Sequence, residues 1–153
     1  MERVPTIREE LEAIAEEFSF LESPRERLEY LLELGRDLPP LEEEAKREEN
    51  RVRGCQSNVW MVAAFDPATR RLEIRADSDA LIVRGLIALL LRLYSGRTPE
   101  EILADPPEVF ERIGLGRLLT PGRQNGLWSM VERIREIARI YAQAPEPARQ
   151  AAS

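Results

Sequence analysis

The sequence of 153 residues contains no histidine, one cysteine and one lysine. The absence of histidine excludes Ser-His-Asp and Cys-His catalytic sites as well as every histidine-ligated metal site. A single cysteine excludes an internal disulfide and a zinc site built from thiolates. Any chemistry that this chain performs must therefore proceed without imidazole.

Long apolar runs are also missing. The richest one, residues 80–94, is interrupted by Arg84, Gly85 and Arg92, and it falls short of the roughly 18 to 20 residues that a membrane helix needs. No apolar stretch follows a basic start at the N-terminus, so we expect no secretory signal. These features predict a cytoplasmic protein without membrane association, in which a lone thiol stays reduced.

The chain has no excess of positive charge, since it contains 22 basic and 28 acidic residues and its net charge is −6. This balance disfavours general binding to nucleic acid. The acidic run at residues 42–49 is either a solvated face or a docking surface for a basic partner. Five arginines crowd the middle of the chain, and they form either a solvated face or a positive patch near residue 55: Arg51, Arg53, Arg70, Arg71 and Arg75.

The pattern of apolar residues predicts an α+β fold, in which a small antiparallel sheet of three strands packs against several helices. Asn58–Phe65 and Arg71–Ala76 predict a hairpin, and Arg51–Gly54 predicts a short third strand. Capping patterns and helical periodicity predict the helices, with residues in this order: 7–21 after Thr6, Ser23-Pro24 to Gly35, 79–94 after Ser78, a turn after Thr98, a short helix from Asp105 to Gly114, and Thr120-Pro121 to Tyr141. We expect one domain over residues 1–143 and a disordered tail over residues 144–153.

Cys55 is the strongest nucleophile in the chain. A lone cysteine is often a small buried apolar residue, but here Gly54 precedes it and the polar residues Gln56, Ser57 and Asn58 follow it. This composition is typical of a loop between short strands. Arginines at positions 51 and 53 would favour the thiolate if they turn toward the sulfur. A functional thiol and a structural cysteine are about equally supported by these residues alone.

Three motifs carry a resemblance to a known family. Gly54-Cys55-Gln56-Ser57 followed by Val59-Trp60 resembles the GCQSxVW signature of the SufE family, sulfur acceptors of iron–sulfur cluster assembly. Residues 78–86 resemble its second motif, SDAxIVKGL, with Arg84 in place of the usual lysine, and residues 120–127 resemble its third, TPxRxxGL. The motifs follow the family's order at near-family spacing over residues 7–142.

The resemblance implies a SufE/IscU-like fold and a specific activity. It implies that Cys55 accepts sulfane sulfur from a SufS-type cysteine desulfurase, that the protein stimulates this enzyme, and that sulfur then passes to an iron–sulfur scaffold similar to SufBCD. The step is related to thiol–disulfide exchange. The resemblance further implies a sulfur-transfer accessory protein rather than a free-standing enzyme. Such a protein has no metal and no cofactor of its own, since pyridoxal phosphate belongs to the desulfurase. Whether the protein forms a homodimer is left open by the sequence.

The resemblance also implies supporting roles around Cys55 for Gly54, Gln56, Ser57, Asp79 and Arg123, either in shaping the loop or in contacting the partner. We expect the loop to rest against an apolar pocket and to swing out on docking. Two alternatives remain at this stage. In the first, the protein activates the desulfurase without carrying sulfur. In the second, Cys55 is a redox sensor that cycles through sulfenic acid, although the chain has no resolving cysteine.

Overall fold

The computed structural model describes residues 4–105, 111, 113–115 and 118–145. Two 3₁₀ turns, Glu43–Ala45 and Glu48–Asn50, lie between the second helix and the hairpin. The predicted helix from Asp105 to Gly114 and the predicted disordered tail lie largely outside the described residues. The other elements, in chain order, are α1 (Ile7–Ser19), α2 (Pro24–Asp37), β1 (Val59–Asp66), β2 (Arg71–Ser78), α3 (Leu81–Tyr94), α4 (Pro99–Ala104) and α5 (Pro121–Ala142).

Four helices begin where the sequence predicts, because each has a hydroxyl that accepts a hydrogen bond from the third residue of the helix. These caps are Thr6, Ser23, Thr98 and Thr120. The start of α3 differs from the prediction. Ser78 ends β2, its Oγ accepts a hydrogen bond from the backbone of Ala80 at 3.1 Å, and the helix begins only at Leu81.

The sheet has two strands within the described residues, so the prediction of a third strand is wrong. β1 and β2 pair antiparallel from Val59 opposite Ser78 to Asp66 opposite Arg71. The chain before Cys55 forms only one isolated bridge, between Arg51 and Trp60. The reason is local, because Gly54 has a φ of 91° and turns the backbone out of the extended conformation. The expected arrangement of helices on a small antiparallel sheet is confirmed.

α3 lies at the centre of the core, as its nearly all-apolar sequence predicts. Leu86, Ile87 and Leu90 on this helix are at most 2% exposed. Gly35, expected to end α2, instead lies inside it and faces Gly85 of α3. The two glycines let the backbones of α2 and α3 approach closely.

Within the described residues, no helix combines the length and apolar character that crossing a bilayer demands.

Candidate functional site

The candidate site is the loop that carries Cys55 from the isolated bridge at Arg51 to the start of β1. Gly54 lies immediately before the cysteine and has a φ of 91°, which residues other than glycine rarely adopt. The Cys55 side chain is half-buried and is a free thiol. The local sequence thus produces what its composition predicts, a tight polar loop with the cysteine at its bend.

The loop lies along one face of α5, in contact with small residues on that helix. Gly54 packs against Ser129, Cys55 against Gly126 and Gln56 against Gly122. A Cβ atom added to Gly122 would overlap the side-chain amide of Gln56, so this flexible side chain would have to move for a larger residue to fit. The helix positions 122, 126 and 129 are four and three residues apart, which places them on one face.

The thiol itself is anchored to this helix. Its Sγ donates a weak hydrogen bond to the carbonyl oxygen of Gly126, with a sulfur–oxygen distance of 3.6 Å. A Cβ added to Gly126 would lie 3.6 Å from the sulfur, which is ordinary van der Waals contact. Cys55 is therefore held inward by a contact to main-chain atoms and not by an acid or a base.

A cavity of about 50 Å³ lies beside the sulfur. It exceeds the about 10–15 Å³ that one water molecule needs, so it has room for an additional atom on the thiol. The polar part of its wall is formed by the loop and by the first turns of α5. The apolar part of the wall comes from α3 and α5 and consists of Val83, Leu86, Leu127 and Met130.

The electrostatics of the site keep the thiol protonated at rest. Burial raises the pKa of Cys55 above its ordinary value, and the positive charge of Arg51 opposes this rise without cancelling it. Arg53, predicted to act in the same way, instead points its guanidinium at Glu48, with an N–O distance of 2.8 Å. Because the thiolate is the nucleophile, the resting thiol is poorly reactive.

Asp79 supports the loop from its far end and does not contact the sulfur cavity. Its carboxylate accepts hydrogen bonds from the backbone nitrogen of Asn58 at 3.1 Å and from the Asn58 side chain at 2.8 Å. The hydroxyl of Ser78 donates to the carbonyl oxygen of Asn58 at 2.7 Å. The β2–α3 junction thus holds the residue at which the loop becomes β1.

Three further predicted site residues line the cavity but make few hydrogen bonds: Gln56, Ser57 and Arg123. Arg123 is exposed, and its backbone nitrogen bonds to the Thr120 hydroxyl at 3.3 Å. Its guanidinium has no ion pair or hydrogen bond with any described residue. The side chains of Gln56 and Ser57 also make no hydrogen bond within the part of the chain described, so they shape the cavity by packing.

Sequence reasoning missed two parts of the site. The first is the floor formed by Gly122 and Ser129, for which the spacing of small residues on the last predicted helix was the available signal. The second is Asp77, which is 2% exposed and accepts a hydrogen bond from the backbone nitrogen of Leu41 at 3.0 Å. Nothing in the sequence distinguished Asp77 from its neighbours as a buried acid.

A metal site was not predicted, and among the described residues no three or more cysteine or acidic side chains converge in a way that could hold a metal ion. The acidic run at residues 42–49 is partly neutralised by the chain's own cations. Glu42 receives two hydrogen bonds from Arg75, at 2.8 and 3.2 Å. Glu43 pairs with Lys46 at 3.3 Å.

Comparison with known proteins yields consistent matches over most of the chain. Residues 12–138 match the model of the SufE family, described as an Fe–S metabolism associated domain. A SufE-like protein of Rhizobium etli is 47% identical over 137 residues, which cover 88% of this chain and 93% of that protein. A SufE-like protein of Rhizobium meliloti is 41% identical over 131 residues, covering 84% of this chain and 94% of that one.

Two further matches extend the comparison. SufE-like protein 1, chloroplastic/mitochondrial, of Arabidopsis thaliana is 38% identical over 128 residues, which cover 84% of this chain and 34% of that longer protein. The solution structure of a hypothetical protein from Thermus thermophilus superposes with a TM-score of 0.71 at 26% identity. The superposition covers 87% of this chain and 96% of that chain.

Proposed function

The chain belongs to the SufE family, and from this premise we propose that Cys55 accepts sulfane sulfur from a cysteine desulfurase and carries it as a persulfide. Membership associates the chain with Fe–S metabolism. The observation that carries the finer proposal is the position of the one thiol, at the bend of a loop beside a cavity with room for one more atom. A sulfur carrier needs such a thiol and a sheltered place for its cargo.

The transfer step is balanced without an external oxidant or reductant. The Cys55 thiolate attacks the terminal sulfur of the desulfurase persulfide, a new S–S bond forms on Cys55, and the old S–S bond breaks. The desulfurase cysteine leaves as a thiolate and takes up the proton that Cys55 gave up. Sulfur therefore moves at constant overall oxidation state, and the step requires no metal and no imidazole.

Activation of the thiol belongs to docking in this proposal. At rest, burial holds the pKa of Cys55 above its ordinary value, and the thiol donates to Gly126. Moving the loop into a partner's site removes both effects, and the nearby charge of Arg51 then favours the thiolate. Gly54 is the residue at which the backbone can turn, since its φ is already in the region open to glycine.

The partners in this proposal are those that the SufE family resemblance implies. The donor is a SufS-type desulfurase that carries pyridoxal phosphate and forms the first persulfide, and the recipient is a cluster scaffold similar to SufBCD. The chain itself acts as an accessory protein that stimulates the desulfurase and has no cofactor of its own. We place this activity in the cytoplasm.

Intact mass spectrometry tests the proposal. The protein is incubated with a SufS-type desulfurase and free cysteine, and its mass is measured before and after reduction. We expect a gain of one or more sulfur atoms that is reversed by reductant and absent in Cys55→Ser. Faster desulfurase turnover with no gain of sulfur, retained in Cys55→Ser, would instead make the protein a non-covalent activator.

A further inference from the structure

A second cavity, of about 230 Å³, lies next to the Cys55 loop and is not used by the sulfur chemistry. We call it the arginine cleft. One wall is the segment Arg51–Arg53, which leads directly into Gly54. The other wall is a face of α5 formed by residues at helical spacing: Ser129, Glu132, Arg133 and Glu136.

The three guanidinium groups of the arginine cleft lack sufficient acceptors within the described residues. Arg51 and Arg53 share the single carboxylate of Glu48, at 3.8 and 2.8 Å. Arg133 approaches Glu136 only to 3.8 Å, and its Nε is buried with no hydrogen-bond partner. A guanidinium offers five N–H donors. The exposed guanidinium of Arg53 and the incompletely paired one of Arg133 therefore have donors left for a further oxygen ligand.

The acidic residues in the cleft do not supply that ligand. Glu132 is held by Arg139, with an N–O distance of 2.6 Å. Glu136 is beyond hydrogen-bond distance of Arg133. The planar fork of arginine matches carboxylate and phosphate in two-point contact, and of these two groups the carboxylate is the one that protein side chains carry.

The position of the arginine cleft identifies where the carboxylate comes from. Gly54 contacts Ser129, which lines the cleft, and Cys55 contacts Gly126, about one helical turn closer to the N-terminus of α5. A protein that receives the Cys55 loop in its own site must therefore cover the cleft as well. Resting on the function proposed above, we infer that the arginine cleft docks an aspartate or glutamate side chain of the cysteine desulfurase and so positions Cys55 at the donor persulfide.

Charge reversal in the cleft provides the test. Desulfurase activity is measured while wild type, Arg133→Glu, Arg53→Glu or Arg25→Glu is titrated in. Arg25→Glu is the matched control, because it makes the same charge change on exposed α2, away from the cleft. We expect the concentration for half-maximal stimulation to rise ~10-fold or more for the two cleft variants, because like charges then face each other across the interface, and to stay near wild type for the control.

Three results would overturn the inference. The first is that both cleft variants behave like Arg25→Glu. The second is that all three variants weaken stimulation equally, which indicates general charge steering. The third is that inorganic phosphate blocks stimulation of the wild type far more than sodium chloride of equal ionic strength, which assigns the cleft to phosphate. If Arg133→Glu fails to fold, Arg53→Glu carries the test, since the side chain of Arg53 is 74% exposed.

A loading assay separates this inference from the proposed function. Each variant is treated with inorganic polysulfide in the absence of desulfurase, and the sulfur on Cys55 is measured by intact mass. Equal loading in wild type and both cleft variants, with impaired stimulation in the variants, supports a docking role. Failure of the wild type to take up sulfur from either donor overturns the proposed function, whereas normal uptake with unchanged half-saturation overturns only the arginine cleft.

Discussion

The Cys55 thiol is subject to two opposing influences on its ionisation. Burial beside α5 raises its pKa, and the guanidinium of Arg51 lowers it, with burial the larger of the two. A carrier of reactive sulfur benefits from this balance, because a neutral, sheltered thiol resists oxidation until a partner moves it into a different environment.

We predict that the pH profile of Cys55 alkylation by iodoacetamide has its inflection at higher pH in the folded protein than in urea. The thiolate reacts, and folding raises the pKa of this thiol. Arg51→Gln should move the inflection further upward, because it removes the charge that favours the thiolate. The matched control is Arg71→Gln, which alters an exposed arginine at the start of β2. An inflection in the folded protein at or below that in urea would contradict the prediction.

Gly54 is the second residue on which the site depends. We predict that Gly54→Ala lowers the free energy of unfolding by about 1–3 kcal/mol through backbone strain and also speeds Cys55 alkylation. The second effect arises because the new Cβ would overlap the Ser129 hydroxyl and also lie 3.3 Å from the Ser129 Cβ, which rotation of the hydroxyl does not relieve, so the loop shifts away from α5. Urea unfolding and alkylation rates measure the two effects.

Gly114→Ala is the matched control for this prediction. Gly114 has a similar φ of 76°, but a Cβ there meets no atom of the described residues within 4 Å. Gly114→Ala should therefore lower the free energy of unfolding through backbone strain and leave the rate of Cys55 alkylation unchanged. Equal alkylation rates in the two variants would mean that contact with Ser129 does not hold the loop.

At the scale of elements, helical glycines have two different roles. Gly85 allows α3 to approach α2, since a Cβ at this position would overlap the backbone of Leu31. Gly126 lies on α5 beneath the sulfur, where a Cβ would make only ordinary contact. One glycine is required by a helix crossing, whereas the other leaves space at the site.

We predict opposite outcomes for the two corresponding alanine variants in urea unfolding. Gly85→Ala should destabilise the protein by about 1–3 kcal/mol or more, because backbone atoms of α2 cannot move aside as a flexible side chain can. Gly126→Ala should be neutral or stabilising by up to about 1 kcal/mol, since alanine favours a helix over glycine. Similar stabilities of the two variants would refute this account of the helix crossing.

At the scale of the whole molecule, Asp77 connects segments that are distant in sequence. Its buried carboxylate accepts hydrogen bonds from the backbone of Leu41 at 3.0 Å and of Ser78 at 2.8 Å, and it also bonds to Arg84. Lys46 lies 3.6 Å away. The carboxylate thus joins the segment after α2, the end of β2 and the first turn of α3, immediately behind the residues that hold Asn58.

This network predicts a specific loss of stability in acid. Burial raises the pKa of Asp77, but the two backbone N–H groups and the charges of Arg84 and Lys46 outweigh it, so the net shift is downward. A carboxyl group whose pKa is lower in the folded state stabilises the protein above its unfolded pKa of about 3.9. That stabilisation is lost as the pH falls through the folded value.

Asp77→Asn tests the prediction by urea unfolding between neutral pH and pH ~3. We expect a loss of about 3 kcal/mol at neutral pH, since it removes the charge partner of Arg84, and a smaller difference from wild type in acid. Asp66→Asn is the control, because this carboxyl is exposed and, among the described residues, accepts only a turn hydrogen bond from Ala68, which asparagine retains. A difference that stays constant with pH would show that Asp77 contributes by shape alone.

The sequence by itself determined the elements with strong local signals. Four helix starts were predicted because a hydroxyl and a backbone N–H three residues later interact within one turn, as at Thr6 and Thr120. The hairpin was predicted because its signals are local: aromatic and β-branched residues in the first strand, turn residues after it, and alternation in the second strand. Cys55 was identified for the same reason, since its glycine and polar neighbours are adjacent in the chain.

Only the tertiary structure decided which distant residues meet at the site. Gly126 beneath the sulfur is 71 residues from Cys55, and the cleft brings Arg51 together with Arg133. The placement of Gly35 inside α2 has the same origin. A short segment near a glycine has little intrinsic preference, so packing against other elements settles its conformation. Burial, and with it the pKa of Cys55, exists only once α5 covers the loop.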